Sequence, residues 1–250
     1  MPDQEKYFLL YLLMASIAGY LVGSISFARI ITYLKTRSFN VKPLKREIPE
    51  SNIIFESDSI SATAVNDNLG SKFGCLVSIL DMIKVGIPTW IVLVCFPNHP
   101  FYLIVALFGI MGHNYPLFYK FKGGRGMSPL IGGLIVINWM GILIANLVAA
   151  ILSFLTGTVL IMRWGWMIVI IFWFAWDYKD IWHLIYILGA NALFWISMIP
   201  DLKNSIKLLK HRKSTQEEIS DFMQMGKGFG RFFDKYSLPS LIKKLVQHLK

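Results

Sequence analysis

Charge is scarce in this chain. Only 16% of its residues are Asp, Glu, Lys or Arg, against about 25% in soluble domains. The few charges cluster, leaving apolar runs too long and too numerous for one soluble core, so a water-soluble class is excluded. Cysteine is almost absent. Cys75 and Cys95 both fall inside apolar runs, with no metal-ligand spacing, so neither a disulfide framework nor a metal site is indicated and both read as small hydrophobes. Acids are outnumbered, 15 to 25, and the net charge of +10 sits beside apolar segments. There it marks loops held in the cytoplasm against anionic lipid, which explains it better than a nucleic-acid partner. A cleavable signal peptide is not evident, because the first apolar segment is too long for one and lacks a clear cleavage site. Internal repeats are not visible.

What remains is 55% hydrophobic, with a mean hydropathy of +0.53. The expected fold is all-α and polytopic, with about seven transmembrane helices. These are placed near residues 7–34, 69–96, 101–118, 128–138, 140–156, 159–176 and 181–199, with breaks near Asn138-Trp139 and Thr156-Gly157. Residues 35–72, 120–125, Arg163 and 203–213 carry the loop cations, while 97–100 and 138–139 carry none. An external N-terminus and a cytoplasmic C-terminus put every basic segment inside. The chain divides into a transmembrane domain, 1–210, and a cytoplasmic tail, 211–250. In the tail, Leu238, Leu241, Ile242, Leu245, Val246 and Leu249 recur at helical spacing and give an amphipathic helix that could lie in the bilayer interface or pack on a membrane-protein partner. Gly226-Lys227-Gly228-Phe229-Gly230-Arg231 is Gly-rich but lacks the spacing of a nucleotide loop.

Two stretches carry candidate chemistry. The first is Gly112-His113-Asn114-Tyr115-Pro116-Leu117-Phe118-Tyr119-Lys120-Phe121-Lys122-Gly123-Gly124-Arg125-Gly126, polar residues at a membrane border. Glycines let backbone N–H groups approach an anion closely, and consecutive N–H groups can form a concave anion site. Lys122 and Arg125 would add full positive charges, and His113 is the side chain here whose ordinary pKa lies near neutrality. The stretch is therefore either a phosphate-binding loop with a proton carrier beside it or a basic, flexible turn that only sets topology. The second is Asp81 and Lys84, three apart inside the second span and so on one helical face. They are either a structural ion pair or the charged wall of a polar cavity. Ser57, in the hydroxyl-rich run Phe55-Glu56-Ser57-Asp58-Ser59-Ile60-Ser61-Ala62-Thr63, has no adjacent base, so no hydrolase triad is indicated.

Together these stretches resemble the bacterial membrane glycerol-3-phosphate acyltransferases that use acyl phosphate as donor. Gly23-Ser24-Ile25-Ser26-Phe27 is similar to the family's Gly-Ser-Ile-Pro-Phe, with Ser26 in place of proline. Residues 57–63 are similar to its Ser-Gly-Asn-x-Gly-Ala-Thr-Asn, and Gly70, Gly74, Asp81, Lys84 and Pro88 fall at its spacing. Gly112-His113, Pro116, Phe118, Phe121, Gly123-Gly124 and Gly126 match its Gly-His-x-x-Pro…Gly-Gly-Lys-Gly, with Arg125 for lysine. The likeness covers about residues 20–210, and the family's topology is the one expected above. The first loop departs from the pattern: Glu56 and Asp58 replace glycines, Ser59 replaces an asparagine, and Ala64 stands at the last asparagine. The family's closing His-Arg-Glu-Asn is not found at the end of the last span. Asp201-Leu202-Lys203-Asn204 stands near that place, and His211-Arg212-Lys213 follows ten residues later.

The resemblance implies acyl transfer from acyl phosphate to the 1-hydroxyl of glycerol 3-phosphate, giving lysophosphatidic acid for phospholipid synthesis, in a multi-pass protein of the bacterial inner membrane. It implies Ser57 and His113 as catalytic residues, and Thr63, Lys122, Gly123, Gly124, Arg125 and Gly126 as substrate-binding residues, with no cofactor and no metal. The acidified first loop and the added tail fit an alternative of a different class, a catalytically silent relative serving as a structural or lipid-binding subunit of a membrane complex.

Overall fold

A computed structural model of the chain describes residues 2–47, 54–211 and 227–248. Among them, five helical stretches are long and apolar enough to cross a membrane: Tyr7–Thr36, Ser71–Cys95, Phe101–Tyr119, Met127–Thr156 and Ile181–Lys203. The protein is thus a helical membrane protein, as expected. The expected spans near 128–138 and 140–156 form one helix, interrupted where Asn138 leaves helical geometry (φ −157°, ψ 76°). The expected span near 159–176 is a π-helical turn, Ile161–Gly165, followed by a short helix, Trp166–Asp177.

Two compact units divide the chain. The first comprises Met1–Trp139 and Asp180–Ile206. It opens with α1 (Pro2–Gly23) and α2 (Phe27–Thr36), which together make the first apolar stretch but are separated by Ser24-Ile25-Ser26. A two-stranded antiparallel ribbon follows, β1 (Leu44–Glu47) against β2 (Ile54–Ser57), with Leu44 opposite Ser57. The ribbon departs from the all-α expectation. Residues 35–68 lack helical apolar spacing, and strand pairing gives their backbone N–H and C=O groups the partners a loop would have to find in water. Helix α3 (Ala62–Leu69) starts at Ser61, whose hydroxyl accepts from Ala64 N at 3.4 Å. Helix α4 (Ser71–Cys95), α5 (Phe101–Asn114), the first part of α6 (Met127–Thr156) and α8 (Ile181–His211) as far as Ile206 complete the unit; α7 (Trp166–Asp177) belongs to the second.

Small residues set how closely these helices pack. A β-carbon on Gly19 or Gly23 of α1, or on Gly112 of α5, would run into the facing helix's backbone, so α1 and α5 meet at main-chain level. Gly132 of α6 meets the backbone of Met82 on α4 in the same way, beside a Ser78–Ser128 hydroxyl bond of 2.9 Å. Ala28, Ile31, Val41, Ala64, Val65 and Val77 pack α2, α3 and α4 together under the first loop. At one end of the unit, Phe8, His99, Phe101 and Trp182 form an aromatic cluster. At the other end lie the Gly-rich loop and the last turns of the apolar part of α8. Helix α8 runs on through Pro200 to His211, beyond the expected end at 199.

The second unit comprises Met140–Lys179 and Lys207–Lys250. It holds the remainder of α6, α7, and two short helices, α9 (Lys227–Tyr236) and α10 (Leu238–His248). The expected tail helix is present as α10, and the Gly-rich stretch from Lys227 on is helical.

Candidate active site

The break between α1 and α2 creates the first part of the site. Where the helix stops, the Ile25 carbonyl is no longer in an i→i+4 ladder, and it accepts from Lys84 Nζ at 2.7 Å. The same ammonium lies 2.8 Å from Asp81 Oδ1 and 3.0 Å from His113 Nδ1. Both members of the ion pair are almost fully enclosed, each side chain 3% exposed. The ammonium has three N–H donors and no acceptor, so in its bond with His113 it donates and Nδ1 accepts, which assigns the imidazole proton to Nε2; it donates likewise to the Ile25 carbonyl and meets Asp81 as an ion pair. Asp81 Oδ1 is 3.6 Å from Nδ1, beyond hydrogen-bonding distance, and does not compete for that position.

The Nε2 edge of His113 faces Gly124. A β-carbon on Gly124 would collide with the ring, and one on Gly123 would collide with the His113 carbonyl, so both must be glycine for the loop to close over the histidine. Gly124 N donates to His113 O at 3.1 Å, and Ile60 N donates to Gly123 O at 3.0 Å, which ties the first loop to the Gly-rich loop. Gly126 has φ +83° and sits against Asn114, whose Nδ2 donates to Leu193 O at 3.1 Å. Gly23, Ser24, Ser26, Asp81, His113 and Gly123-Gly124 are among the lining of a cavity of about 10 Å³, the volume of a single water centre.

Arg125 heads a second cluster. Its Nε and Nη2 donate to Oδ2 and Oδ1 of Asp201 at 2.7 and 2.9 Å, a two-pronged carboxylate grip. Nη2 also reaches Ser57 Oγ and Asp58 Oδ1, both at 3.4 Å. Ser197 Oγ donates to the Arg125 carbonyl at 3.0 Å, so α8 holds this residue by main chain and side chain. Ser57 is buried at the end of β2 and donates to Ser59 Oγ at 3.2 Å. A third cation, Arg29 on α2, stacks over Tyr119 at 4.6 Å and donates to the Lys122 carbonyl at 3.0 Å.

The residues expected from the sequence thus fall into two groups. Asp81, His113, Gly123 and Gly124 come together around the cavity, and Lys84 joins them through Asp81 and His113. Ser57 and Arg125 meet in the neighbouring cluster, and Ser57 is not among the cavity lining. Lys122 is exposed, and Thr63 is half-buried in the first turn of α3. The bidentate partner of Arg125 and the position of Arg29 were not anticipated. Arg29 does carry a sequence signal, being a lone cation in an apolar stretch.

An enclosed Asp–Lys–His cluster inside membrane-length helices, closed by a Gly-rich basic loop, defines an integral membrane protein with a polar site at one end of its helices. The model of the family described as "Glycerol-3-phosphate acyltransferase" matches residues 13–215, and the chain belongs to that family. A glycerol-3-phosphate acyltransferase of Mycoplasma mycoides subsp. mycoides is 33% identical over 148 residues, 56% of this chain and 53% of the relative. Another, of Oceanobacillus iheyensis, is 31% identical over 52% of this chain and 60% of its own length. For that of Aquifex aeolicus the figures are 31%, 56% and 75%. The matched stretch thus spans only 53% and 60% of the first two relatives' length. The solved structure of PlsY, an integral membrane glycerol 3-phosphate acyltransferase, is similar in its glycerol 3-phosphate form, with a TM-score of 0.64 and 25% identity over 83% of this chain and 98% of that one. Its lysophosphatidic acid form gives a TM-score of 0.63.

Proposed function

We propose that this protein transfers an acyl group from acyl phosphate to the 1-hydroxyl of glycerol 3-phosphate, at the cytoplasmic face of a bacterial inner membrane, with lysophosphatidic acid as the product for phospholipid synthesis. The observation that carries the reading is the Gly123-Gly124 backbone closed over a His113 that Lys84 and Asp81 hold from beneath. An acyl phosphate is already activated, so a protein needs chiefly to bring two phosphorylated molecules together and stabilise the developing oxyanion. The glycerol hydroxyl oxygen attacks the acyl carbon, the C–O bond to phosphate breaks, and the hydroxyl proton leaves with the phosphate. His113, protonated at Nε2, acts as a hydrogen-bond donor in this scheme. A second proton at Nδ1 would set an imidazolium against the Lys84 ammonium. The backbone N–H groups of 123–126, with Lys122 and Arg125, supply the anion site, and Ser57 and Thr63 add hydroxyls at its edge.

Topology supports the same reading. In the first unit, the start of α1 clusters with residues 99–101 and Trp182, while Asp201 meets Arg125 at the opposite end of α5 and α8. The chain therefore changes sides between 126 and 180, which takes an odd number of crossings. Three short or tilted segments across α6 and α7 would give seven in all. The cations of the inner loops then face anionic lipid.

One observation favours the silent alternative: Asp201 and Asp58 already occupy the guanidinium of Arg125. The deciding experiment is acyl transfer by the purified full-length protein, with acyl phosphate and glycerol 3-phosphate. Lysophosphatidic acid formation sustains the enzyme. Its absence, in the parent and in Asp58→Gly alike, sustains the structural or lipid-binding role.

A further inference from the structure

The family match ends at residue 215, and residues 227–248 lie past it. Helices α9 and α10 meet at a bend at Ser237. Ser237 N donates to Phe233 O at 3.1 Å, Leu241 N to Ser237 O at 2.9 Å, and Lys244 Nζ to Lys235 O at 2.9 Å, while the Ser237 and Ser240 hydroxyls are 3.0 Å apart. Ser237 and Phe233 are buried. At 3.6 residues per turn, α10 places Leu238, Leu241, Ile242, Leu245 and Val246 on one face and Ser240, Lys243, Lys244 and Gln247 on the other. Helix α9 separates Phe232, Phe233 and Tyr236 from Arg231, Asp234 and Lys235 in the same way.

Two facts bear on what this bent helix pair lies against. Residues 241–247 are exposed on every side, apolar face included, and α10 is only 11 residues long. Helices that short are not stable in water without a surface to pack on. The bend at Ser237 also has a fixed place. Ser237 Oγ and Pro239 Cγ stand 3.1 and 3.2 Å from where a β-carbon on Gly157 would be, and Gly157, with φ +73°, directly follows the last residue of α6. Thr156 closes the part of α6 that follows the Asn138 break, in a stretch apolar and long enough to cross a membrane. The bent helix pair therefore starts where that part of α6 leaves the bilayer. Its polar faces carry Arg231, Lys235, Lys243 and Lys244 against one acid, Asp234.

We propose that the bent α9–α10 pair lies flat in the interface of the membrane that holds the chain, its apolar faces in the acyl border and its cations against anionic lipid headgroups. A buried apolar stripe supplies the stability that the short helices lack, and the charges make the seating depend on lipid composition. This reading stands independently of the catalytic one.

The test uses the full-length protein with Cys75 and Cys95 changed to alanine, and a spin label at Ile242→Cys, Leu245→Cys or Lys243→Cys, reconstituted into lipid vesicles. At 242 and 245, collisions with oxygen should exceed those with a water-soluble nickel reagent, and at 243 the order should reverse. Nickel collisions at 245 should be severalfold fewer in phosphatidylglycerol-containing vesicles than in pure phosphatidylcholine, and Lys243→Gln with Lys244→Gln should remove that difference. Equal nickel access at all three sites overturns the proposal, because α10 is then in water. Shielding of 242 and 245 from both reagents also overturns it and assigns the apolar face to a protein partner or a second copy of this chain.

Discussion

The grip of Arg125 on Asp201 makes a quantitative prediction. Two hydrogen bonds of 2.7 and 2.9 Å join side chains that are 17% and 12% exposed, so the pair is mostly but not fully out of water. At about 3 Å and an effective dielectric constant of about 20, the Coulomb attraction is roughly 6 kcal/mol. Desolvation of both groups offsets most of it, and the residual exposure discounts the rest. A net coupling of about 2 kcal/mol remains, in the range of charged hydrogen bonds in partly buried sites. Arg125→Ala would take from the Asp201 carboxylate its two-pronged partner, and Asp201→Ala would leave the guanidinium only its longer contacts with Ser57 and Asp58. Each should lower the melting temperature in detergent by about 4–8 °C, at roughly 2–4 °C per kcal/mol for a chain of this size. The double mutant should melt about where the single mutants do, because the second change removes a group that has already lost its main partner. On activity the two singles should part: Arg125→Ala loses glycerol 3-phosphate affinity, while Asp201→Ala keeps or gains it, the guanidinium being released from its tightest carboxylate. Strictly additive melting shifts would show that the pair is not coupled and would refute the reasoning. Equal activity losses in both singles would show that the arginine serves position and not substrate.

Other outcomes follow from the same geometry. Gly124→Ala should cut acyl transfer more than tenfold with normal purification yield, since the new methyl meets the His113 ring and about 1.4 kcal/mol of misplacement costs a factor of ten; unchanged turnover would remove the loop from the mechanism. Lys84→Met should destabilise the protein by about 3–5 kcal/mol through the stranded Asp81, and adding Asp81→Asn should recover part of it; thermal melts decide. Asp58→Gly removes a carboxylate 3.4 Å from Arg125 and should leave the KM for glycerol 3-phosphate unchanged or lower, never higher. In a background without Cys75 and Cys95, cysteines at Lys120 and Lys203 should resist an impermeant thiol reagent on intact cells, whereas one at His99 should react. Labelling at 120 or 203 would break the topology.

Residues that betray themselves by being out of place were readable in the chain. Asp81 and Lys84 stood out as charges inside an apolar run, and the Gly-rich segment as polar matter at its edge. The break expected at 138–139 falls where Asn138 turns out of the helix. Pairings were not readable, because they join residues far apart in sequence. Lys84 meets His113 across 29 residues and Arg125 meets Asp201 across 76. The sequence therefore offered Arg125 as a phosphate ligand and gave no sign of Asp201 as its partner. The ribbon β1–β2 was missed because its pairing depends on where α2 and α3 bring the two ends of the segment. Pro200 was taken to end the last span. Its missing N–H instead costs α8 one bond without stopping it, and the extra turn is what delivers Asp201 to the loop.

One of the three acceptors around Lys84 belongs to no side chain. The Ile25 carbonyl is offered by the peptide bond itself, at the gap between α1 and α2. Substitution at position 25 leaves that oxygen in place, so this leg of the lysine's support is hidden from alanine scanning and from any genetic screen that changes side chains alone. Only editing the bond itself can reach it. An ester in place of the amide between Ile25 and Ser26 keeps every side chain and weakens the acceptor, and it would report directly on how much of the lysine's anchoring rests on the shape of the chain.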